Sequence, residues 1–239
     1  MPEISLVMPC LNEEETLGIC LGKARDTIQK LGLDAEMVVA DNGSTDRSVE
    51  IAESYGARVV HQPLKGYGNA YLAGFAAAQG KYMVMGDSDD SYDWTDVGRF
   101  IEPLRRGNDM VMGTRLKGRI EPGAMPFLHR YLGTPVLTAI LNLLFRTGVS
   151  DVNCGMRSFT REAYDRMHLR ATGMEFASEM MIKAGKARLK VTEIPITLHR
   201  DKRTRKPHLR TWRDGWRHLR FMLLYSPAGL FLTPGFILL

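Results

Sequence analysis

Four aspartates follow directly on an apolar run in the stretch YMVMGDSDDSYDW, which covers residues 82–94: Asp87, Asp89, Asp90 and Asp93. Carboxylates gathered at one point repel one another and raise each other's pKa values unless a cation joins them. Hard oxygen ligands suit Mg²⁺ or Mn²⁺, which typically bind one or two carboxylates together with the phosphates of a nucleotide. Asp87 and Asp89, placed where a buried strand is predicted to end, are therefore the predicted metal ligands.

An acidic helix N-terminus is the simpler alternative for this cluster, because the first turn of a helix favours negative charge. We adopt this alternative for Asp96, which we expect to cap the helix that follows. We interpret Asp90 as a sugar contact and Asp93 as a residue that shapes the turn.

A second acidic turn, DNGSTD, covers residues 41–46 and follows the second predicted strand. Its Asn-Gly pair favours a tight turn, in which Ser44 or Asp46 would cap the next helix. Asp41 lies at the very end of the strand, where it is placed to accept hydrogen bonds from the base or ribose of a ligand.

The elements that position these carboxylates alternate between strand and helix through the first half of the chain. Apolar residues between Leu17 and Leu31 recur at helical spacing, and Asn12 with Glu15 resembles a capping box before them. The predicted strands cover residues 4–8, 37–40, 58–61, 82–85 and 110–113, and the predicted helices cover 17–31, 47–54, 69–79 and 96–105. This order is typical of an α/β fold in which βαβ units form a mostly parallel sheet.

Ligands of such sheets bind beyond the carboxyl ends of the strands. Most of the polar and glycine-rich segments of the first half lie at five of these strand ends: residues 9–13, 41–46, 64–69, 87–93 and 114–115. We therefore expect one ligand-binding crevice along this edge.

The second half is less regular. An uncharged apolar helix is predicted at residues 135–145, too short to cross a bilayer, and further helices at 162–167 and 175–184 precede a strand at 190–198. Between Thr211 and Tyr225, apolar residues lie at i, i+4, i+7 and i+11 with arginines elsewhere on the helix. The apolar residues are Trp212, Trp216, Leu219 and Leu223. This spacing predicts a basic amphipathic helix that lies in a membrane interface.

The last 19 residues, FMLLYSPAGLFLTPGFILL, carry no charge. Their length makes them a membrane-span candidate, although Pro227 and Pro234 divide them. The alternative is a C-terminal segment packed on the core. We favour a chain that approaches the membrane at this point.

Positive charge is concentrated in one segment of a chain whose formal net charge is +5. Residues 199–220 hold nine Lys or Arg and two Asp, a net charge of +7, which leaves −2 for the rest. Such a segment needs an anionic partner: nucleic acid, anionic lipid or a phosphorylated substrate. No nucleic-acid-binding module is recognisable, and the acidic strand ends would repel phosphate in the absence of metal, so nucleic acid is the least favoured partner.

Composition and cysteine usage set further bounds. A chain of 239 residues with 44% hydrophobic residues is long enough for a folded core and is not typical of disorder. Three cysteines without paired spacing favour a reduced, cytosolic setting, and the N-terminus MPEISLVMP lacks the features of a signal peptide.

Taken together, the motifs VMPCLNEEETL, VVADNGSTDRS, KGYGNA, MVMGDSDDSYD and GTR resemble family-2 glycosyltransferases of the GT-A fold. With DVNCGMRSFTREA, EFASEMMIKA, VTEIPI and the basic stretch near the C-terminus, the sequence is similar to polyprenyl-phosphate (dolichyl-phosphate) sugar transferases. The resemblance runs over nearly the whole chain with its motifs in order. It implies a GT-A catalytic domain over residues 1–210, with a nucleotide-binding half at 1–115 and an acceptor half at 116–210. Residues 211–239 would form the interfacial helix and the start of a membrane-associated segment.

The resemblance also implies roles for particular residues. Asp87 and Asp89 would bind the divalent metal, Mg²⁺ or Mn²⁺, and through it the sugar diphosphate. Asp89 and Arg115 are the residues assigned to catalysis, and Arg157 and Glu179 are assigned to the acceptor. The nucleotide sugar is assigned to Pro9, Leu11, Glu13, Asp41, Lys65, Asp87, Asp90, Arg200, Arg203 and Lys206.

Two positions depart from the family pattern. Asn42 replaces the second Asp of the usual Asp-Asp-Gly-Ser, which weakens any role assigned to that position. The family's Gly-Phe-Arg is Gly155-Met156-Arg157 here, so an aromatic contact is absent and Arg157 carries over less securely.

The implied reaction is displacement at the anomeric carbon of a UDP- or GDP-linked sugar, with inversion, by a polyprenyl phosphate at the cytoplasmic face of the cell membrane. A phosphate monoester is already largely ionised near neutral pH, so no strong general base is required. Glu175 and Glu179 share a helix face and would be the base candidates for a hydroxyl acceptor, but a structural or acceptor-positioning role is preferred. The alternatives are an enzyme of the same fold with a soluble or glycan acceptor or with nucleotidyl transfer, and a nucleic-acid-binding protein.

Overall fold

The computed structural model describes residues 1–202 and 211–226. The strands of this part are β1 (Ile4–Cys10), β2 (Ala35–Asp41), β3 (Arg58–His61), β4 (Tyr82–Met85), β5 (Met110–Ile120), β6 (Arg157–Thr160) and β7 (Val191–Leu198). The α-helices are α1 (Leu17–Leu31), α2 (Ser48–Ser54), α3 (Tyr67–Ala77), α4 (Val97–Arg105), α5 (Thr134–Phe145), α6 (Arg161–Met167), α7 (Phe176–Lys186) and α8 (Thr211–Tyr225). A 3₁₀ turn at Trp94–Asp96 precedes α4, and a π-helical turn at His129–Gly133 precedes α5.

In the described residues the strands form one seven-stranded sheet in the order β3-β2-β1-β4-β6-β5-β7. The pairs β1/β2, β1/β4, β2/β3 and β5/β7 are parallel. Because parallel strands end at the same edge, the segments after β1, β2 and β4 come together, as the sequence predicts. The expectation of an α/β fold with a mostly parallel sheet is confirmed.

The strand β6 is absent from the sequence-based prediction. It is antiparallel to both of its neighbours, β4 and β5, and separates them in the sheet. Its four residues, RSFT, show no run of apolar residues that would mark a buried strand. Strand β5 is also longer than predicted and reaches Ile120 through an irregularity between Thr114 and Arg119.

An aromatic cluster packs α3 and α7 against the sheet. Phe75 stacks on Tyr71 with ring centroids 5.4 Å apart and meets Phe159 of β6 edge-on at 5.2 Å. Tyr71 also stacks on Phe176 at 5.8 Å, and all four side chains are fully buried. Aromatic pairs of this kind contribute on the order of 1 kcal/mol each beyond the burial of their area. The cluster therefore fixes the first turns of both helices near the carboxyl edge.

The capping box predicted before α1 is wrong. The residue that precedes the helix is Thr16, and Asn12 lies in the left-handed region with φ 57°. The Asn12 side chain instead accepts a hydrogen bond from the backbone N–H of Thr45, 2.7 Å away. A tertiary contact between the ends of β1 and β2 therefore replaces the local cap.

Asp96 occupies the N-cap position of α4, as predicted, but its side chain makes no capping hydrogen bond. Asp93 accepts a hydrogen bond from the backbone N–H of Thr95 at 3.0 Å and begins the 3₁₀ turn. Asp96 makes no such bond and pairs with Arg99 at 2.8 Å. Asp93 thus shapes the turn, as the sequence indicates.

Helix α8 has the bounds predicted from its periodicity, and it packs on α7. His218 is buried and its Nδ1 lies 2.7 Å from the hydroxyl of Ser178. Met222 is buried one turn later, whereas Trp216 is 61% exposed. The packed face is thus not the one that carries Trp216, and the interfacial role of the helix stays a prediction. Within residues 1–202 and 211–226, no helix is both long and apolar enough to cross a bilayer.

Candidate active site

The loop after β4 carries the predicted metal ligands. Asp89 accepts two hydrogen bonds from Ser91, at 3.0 Å from the backbone N–H and 2.5 Å from the hydroxyl, through the same oxygen, Oδ1. The hydroxyl of Ser88 donates to the carbonyl of Pro9 at 2.7 Å, which ties this loop to the end of β1. Two predicted nucleotide-contacting segments therefore lie together.

Asp87 is held by side chains from another element. Its Oδ1 accepts hydrogen bonds from the phenols of Tyr67 and Tyr71, at 2.9 and 3.4 Å. Burial, and then the Asp87 carboxylate, raise the pKa of Tyr67 well above its ordinary value, so this phenol remains a proton donor at neutral pH. Sequence reasoning missed both tyrosines. Nothing in the KGYGNA turn, or in Tyr71 directly after it, indicates that a phenol there contacts the aspartate that follows β4.

Asp90 is engaged by two lysines rather than presented to a sugar. It is 1% exposed, has φ 60° and lies 2.7 Å from Nζ of both Lys23 and Lys202. Burial acts to raise the pKa of Asp90, but the hydrogen bonds from Lys202 and Lys23 outweigh it and hold the pKa below its ordinary value. Asp90 therefore joins α1 to the start of the basic segment.

The turn after β2 holds its own carboxylate. Asp41 accepts hydrogen bonds from the backbone N–H groups of Gly43 at 3.2 Å and Ser44 at 2.9 Å, and Nδ1 of His61 lies 3.2 Å away. Burial acts to raise the pKa of Asp41, but the hydrogen bonds from Ser44, His61 and Gly43 lower it below its ordinary value. Asp41 is thus ionised and rigidly placed.

Asn42, the departure from the family pattern, has a structural role. Its side-chain amide donates to the carbonyls of Gln62 at 2.9 Å and Leu64 at 2.8 Å and accepts from the N–H of Gly66 at 2.7 Å. An aspartate could not make the two donations, since an ionised carboxylate only accepts. Lys65, predicted to bind the nucleotide sugar, is exposed and donates to the carbonyl of Asn42 at 2.6 Å.

Pro9 near the end of β1, and Leu11 and Glu13 just after it, lie between the two acidic segments, because β1 lies between β2 and β4 in the sheet. Pro9 and Leu11 are half-buried, and Glu13 is buried and accepts a hydrogen bond from the hydroxyl of Thr16 at 3.3 Å. The backbone N–H of Glu13 donates to Ser48 at 2.7 Å. The carboxylate of Glu13 is therefore part of the local framework at the start of α1.

Arg115 lies at the carboxyl edge and is fixed by a partner that sequence reasoning missed. Its Nε and Nη2 donate to the two carboxylate oxygens of Asp151 at 2.7 and 2.8 Å. Asp151 is fully buried, and the Arg115 side chain is 11% exposed. A bidentate pair of this kind fixes the plane of the guanidinium. Asp151 stands in the motif DVNCGMR, from which only Arg157 had been assigned a role.

The two residues assigned to the acceptor are both buried in the framework. Arg157 is 0% exposed and donates to the carbonyls of Val152, Cys154 and Ala177 at 2.8–2.9 Å. Glu179 is 1% exposed. This geometry gives Arg157 a structural role, because its guanidinium is used by the backbone.

Glu179 and Glu175 are likewise engaged within the protein. Glu179 accepts hydrogen bonds from the backbone N–H groups of Arg170 at 2.9 Å and Ala171 at 2.7 Å and pairs with Lys183 at 2.7 Å. Glu175 lies 3.1 Å from Nη2 of Arg217 on α8. These contacts indicate that the shared face of α7 holds a loop and a helix in place.

The basic residues assigned to the nucleotide sugar fall at the limit of the described chain. Arg200 is exposed, and its backbone N–H donates to Glu121 at 3.3 Å. Arg203 and Lys206 lie outside the described residues. Their predicted role stays a prediction.

A divalent cation fits the donor set of the loop after β4. Among the residues that the structure describes, no group of three or more His, Cys, Asp or Glu side chains is arranged to enclose a metal. Asp87 and Asp89 nevertheless supply hard carboxylate oxygens, and Mg²⁺ commonly takes one or two carboxylates and completes its shell with phosphate and water. The site is therefore suited to a cation that arrives with, or is completed by, a diphosphate.

Comparison with known proteins agrees with this arrangement. Residues 5–167 match the family described as Glycosyl transferase family 2. The chain belongs to glycosyl transferase family 2. The matched region of this family-2 chain contains both acidic turns, the KGYGNA turn and the Arg115–Asp151 pair.

Curated relatives of this family-2 chain include two proteins of Haloferax volcanii. The low-salt glycan biosynthesis hexosyltransferase Agl6 is 46% identical over 236 residues, which cover 98% of this chain and 56% of the relative. The chain thus spans little more than half the length of that relative. A dolichyl-phosphate hexose transferase is 31% identical over 195 residues, covering 81% of this chain and 82% of the relative.

Solved structures share the fold. Glucosyl-3-phosphoglycerate synthase from Mycobacterium tuberculosis, in complex with Mn²⁺, uridine diphosphate and glucosyl-3-phosphoglycerate, superposes with a TM-score of 0.72 at 24% identity. The superposition covers 95% of this chain and 80% of that chain. At this identity the likeness shows the fold, which is the GT-A fold that the sequence motifs predict.

Proposed function

We propose that this chain transfers a hexosyl group, with inversion, from a UDP- or GDP-linked donor to a polyprenyl (dolichyl-type) phosphate. The observation that carries the proposal is that Asp41, Asp87 and Asp89 lie at one edge of the sheet, where a nucleotide and a cation-bound diphosphate would lie side by side. The names of the relatives, a hexosyltransferase and a dolichyl-phosphate hexose transferase, support the transferred group and the acceptor class.

In this proposal the turn after β2 binds the nucleoside of the donor, and the loop after β4 binds its diphosphate through the cation. Asp41, held ionised by its own turn, accepts hydrogen bonds from the nucleoside, and the β1 segment from Pro9 to Glu13 lies alongside. Asp87 and Asp89 would hold the divalent cation, which neutralises charge on the diphosphate as it departs. The nearby Arg115 donates to the same developing charge or to the acceptor phosphate, in an orientation fixed by Asp151.

The contacts of Glu179 on α7 and of Glu175, which directly precedes this helix, agree with a phosphate acceptor. Glu179 is used by backbone N–H groups and Lys183, and Glu175 pairs with Arg217, so neither is placed as a general base. A phosphate monoester, with a second pKa of about 6, attacks without one. A hydroxyl acceptor would need a base from elsewhere.

Exposed apolar side chains support action at a membrane surface, which we propose to be the cytoplasmic face. The turn before α5, α5 itself and α8 expose Phe127, Tyr131, Leu132, Val136, Leu143, Trp216 and Leu224. Arg217 and Arg220 on α8 are exposed as well, and basic residues beside apolar ones favour anionic lipid. Sedimentation with anionic liposomes should retain the protein, and Trp216→Ser should weaken that retention.

The direct test is a panel of nucleotide sugars with Mg²⁺ or Mn²⁺ and a short polyprenyl phosphate, read by release of the nucleoside diphosphate. Turnover with one donor and the lipid phosphate, abolished by chelation of the metal, is the expected result. No release with any donor in the presence of the lipid phosphate would contradict the proposal.

A soluble acceptor is the second candidate, favoured by one observation. The solved structures of the same fold include glucosyl-3-phosphoglycerate synthase with phosphoglyceric acid. The same panel should therefore carry a parallel arm with 3-phosphoglycerate. Turnover in that arm alone, with no binding to liposomes, would favour the soluble acceptor.

A further inference from the structure

One oxygen of Asp87 is held by two tyrosines one helical turn apart on α3. The phenol of Tyr67 donates to Oδ1 at 2.9 Å, and the phenol of Tyr71 reaches the same oxygen at 3.4 Å. The first distance lies within the ordinary range of an O–H···O hydrogen bond, and the second lies beyond it. Tyr71 is also fully buried in the aromatic cluster, so its position is explained by packing. Tyr67 is the tyrosine whose phenol is aimed at the carboxylate.

The other side of the same carboxylate is closed by backbone. A Cβ placed on Gly155 would lie 2.8 Å from Oδ2 of Asp87 and 3.0 Å from the ring of Tyr92. Tyr92 in turn accepts a hydrogen bond from the N–H of Gly155 at 2.8 Å, and the indole of Trp94 donates to the Asp87 carbonyl at 3.3 Å. The carboxylate therefore lies in a narrow slot between α3 and the segment before β6.

Tyr67 is itself set in place by two glycines. A Cβ on Gly66 would lie 2.3 Å from the carbonyl oxygen of Thr172, and one on Gly68 would lie 2.1 Å from that of Ala171. Real Cβ atoms do not approach backbone oxygens this closely, so only glycine allows the turn to lie against this loop. The loop is anchored from behind by Glu179 through the N–H of Ala171. The position of the phenol is thus built into the fold.

Orientation matters because the carboxylate torsion of aspartate is broad and roughly two-fold. A donor that holds one oxygen fixes the plane of the group and hence the direction in which both oxygens face. Partners that orient a metal-binding side chain typically affect metal affinity by about 10- to 100-fold when they are removed.

We propose that Tyr67 is a positioning residue, whose phenol orients the Asp87 carboxylate toward the divalent cation and the sugar diphosphate. This inference rests on the proposed role of Asp87 as a metal ligand. It adds a contact from α3, which the sequence motifs do not assign to the metal site. It also links the glycines of the KGYGNA turn and the buried Glu179 to the orientation of the Asp87 carboxylate.

The test measures Mn²⁺ binding to the full chain without turnover, by electron paramagnetic resonance in the presence of UDP and, in parallel, GDP. The variants are Tyr67→Phe, the matched Tyr71→Phe on the same helix, and Asp87→Asn. We expect Tyr67→Phe to raise the Mn²⁺ Kd by about 10-fold and Tyr71→Phe by less than about 3-fold. Thermal unfolding should show both tyrosine variants folded, and saturating Mn²⁺ should restore most of the kcat of Tyr67→Phe.

The outcomes separate the inference from the function on which it rests. Loss of Mn²⁺ binding in Asp87→Asn together with unchanged affinity in Tyr67→Phe would overturn the role of Tyr67 and leave the metal site standing. Equal losses in Tyr67→Phe and Tyr71→Phe would also overturn it, since packing alone would then explain them. Unchanged Mn²⁺ affinity in Asp87→Asn would overturn the metal assignment and the inference together.

Discussion

The turns after β2 and after β4 look alike in sequence, since both follow a buried strand with aspartates, yet their carboxylates are held in different ways. In the turn after β2, the partners of Asp41 include the backbone N–H groups of Gly43 and Ser44, two and three residues away. These two contacts are encoded by the turn itself, because an aspartate readily accepts from the backbone N–H groups that follow it. The turn also has a more distant partner, since His61 of β3 lies 3.2 Å from Asp41.

In the loop after β4, Asp89 accepts from its neighbour Ser91, but two other aspartates have partners in distant parts of the chain. Asp87 is held from α3 by Tyr67, and Asp90 is held by Lys23 of α1 and Lys202, which follows β7. The difference shows that an acidic strand end can be held mainly by its own turn or can be a meeting point of several elements.

The largest effect on activity is expected from a substitution in the loop after β4. Asp89→Asn removes a negative charge and a proposed metal ligand but keeps the Oδ1 acceptor that Ser91 uses. We expect the variant to fold and to lose sugar transfer by about 10²–10³-fold, the size of effect seen when a group that stabilises transition-state charge is removed. The measurement is metal-dependent release of the nucleoside diphosphate.

The matched control is Asp93→Asn in the same loop, because Asp93 shapes the 3₁₀ turn through an acceptor oxygen that asparagine retains. Turnover of this control should stay within a few-fold of the parent. Unchanged turnover in Asp89→Asn would remove Asp89 from the metal site.

A smaller effect is expected when the turn after β2 is broken. Asn42→Asp restores the residue usual in the family but removes both donations, to the carbonyls of Gln62 and Leu64. A buried acceptor left without its donor costs about 1–3 kcal/mol, and these two carbonyls are only partly buried, so the lower end of that range applies to each. We therefore expect the free energy of unfolding to fall by about 2 kcal/mol, measured by denaturant titration.

Asn108→Asp is the control for this change, because the Asn108 amide donates to a single carbonyl, that of Pro103, at 3.0 Å. Its cost should be smaller than that of Asn42→Asp. Equal costs would show that the two donations by Asn42 do not hold the turn.

The same distinction explains which parts of the molecule sequence reasoning could reach. Helices with regular apolar spacing, such as α1 and α8, and apolar strands with turn residues after them were predicted with bounds close to those observed. From the parallel arrangement predicted for the sheet, segments including residues 9–13, 41–46 and 87–93 were expected to lie along one edge, and the pairing of β1 with β2 and β4 agrees with this. These features are local, or follow from the geometry of parallel sheets.

Features that depend on distant partners were missed. Strand β6 is only four residues long and antiparallel to both of its neighbours. Its pairing with β4 and β5, rather than its own residue pattern, defines it as a strand. Asn12 was predicted as a cap, but a backbone N–H of another turn takes its side chain. Tyr67 and Asp151 lie in recognised motifs, but the sequence does not indicate that Tyr67 contacts Asp87 or that Asp151 contacts Arg115. Spacing along the chain does not carry this information.

The smallest effect concerns the charge of two carboxylates whose pKa values are both lowered. Asp41 is held mainly by neutral backbone and hydroxyl donors, whereas Asp90 is held by the cations Lys23 and Lys202, the second of which is 56% exposed. A carboxyl whose folded pKa lies below its unfolded value stabilises the protein above the unfolded pKa. That stabilisation is lost as the pH falls through the folded pKa. Both residues should therefore contribute to loss of stability in acid.

Salt should separate the two carboxylates. Between about 0.1 M and 1 M NaCl the Debye length falls from about 10 to 3 Å, which weakens the lysine partners of Asp90 more than the backbone partners of Asp41. The carboxyl pKa of Asp90, followed by carbon-detected NMR, should rise with salt, and that of Asp41 should change less. Because the imidazole of His61 lies 3.2 Å from the Asp41 carboxylate, the titration should be repeated in His61→Gln. Equal salt responses of Asp41 and Asp90 in that background would show that the two turns do not differ in the way their carboxylates are held.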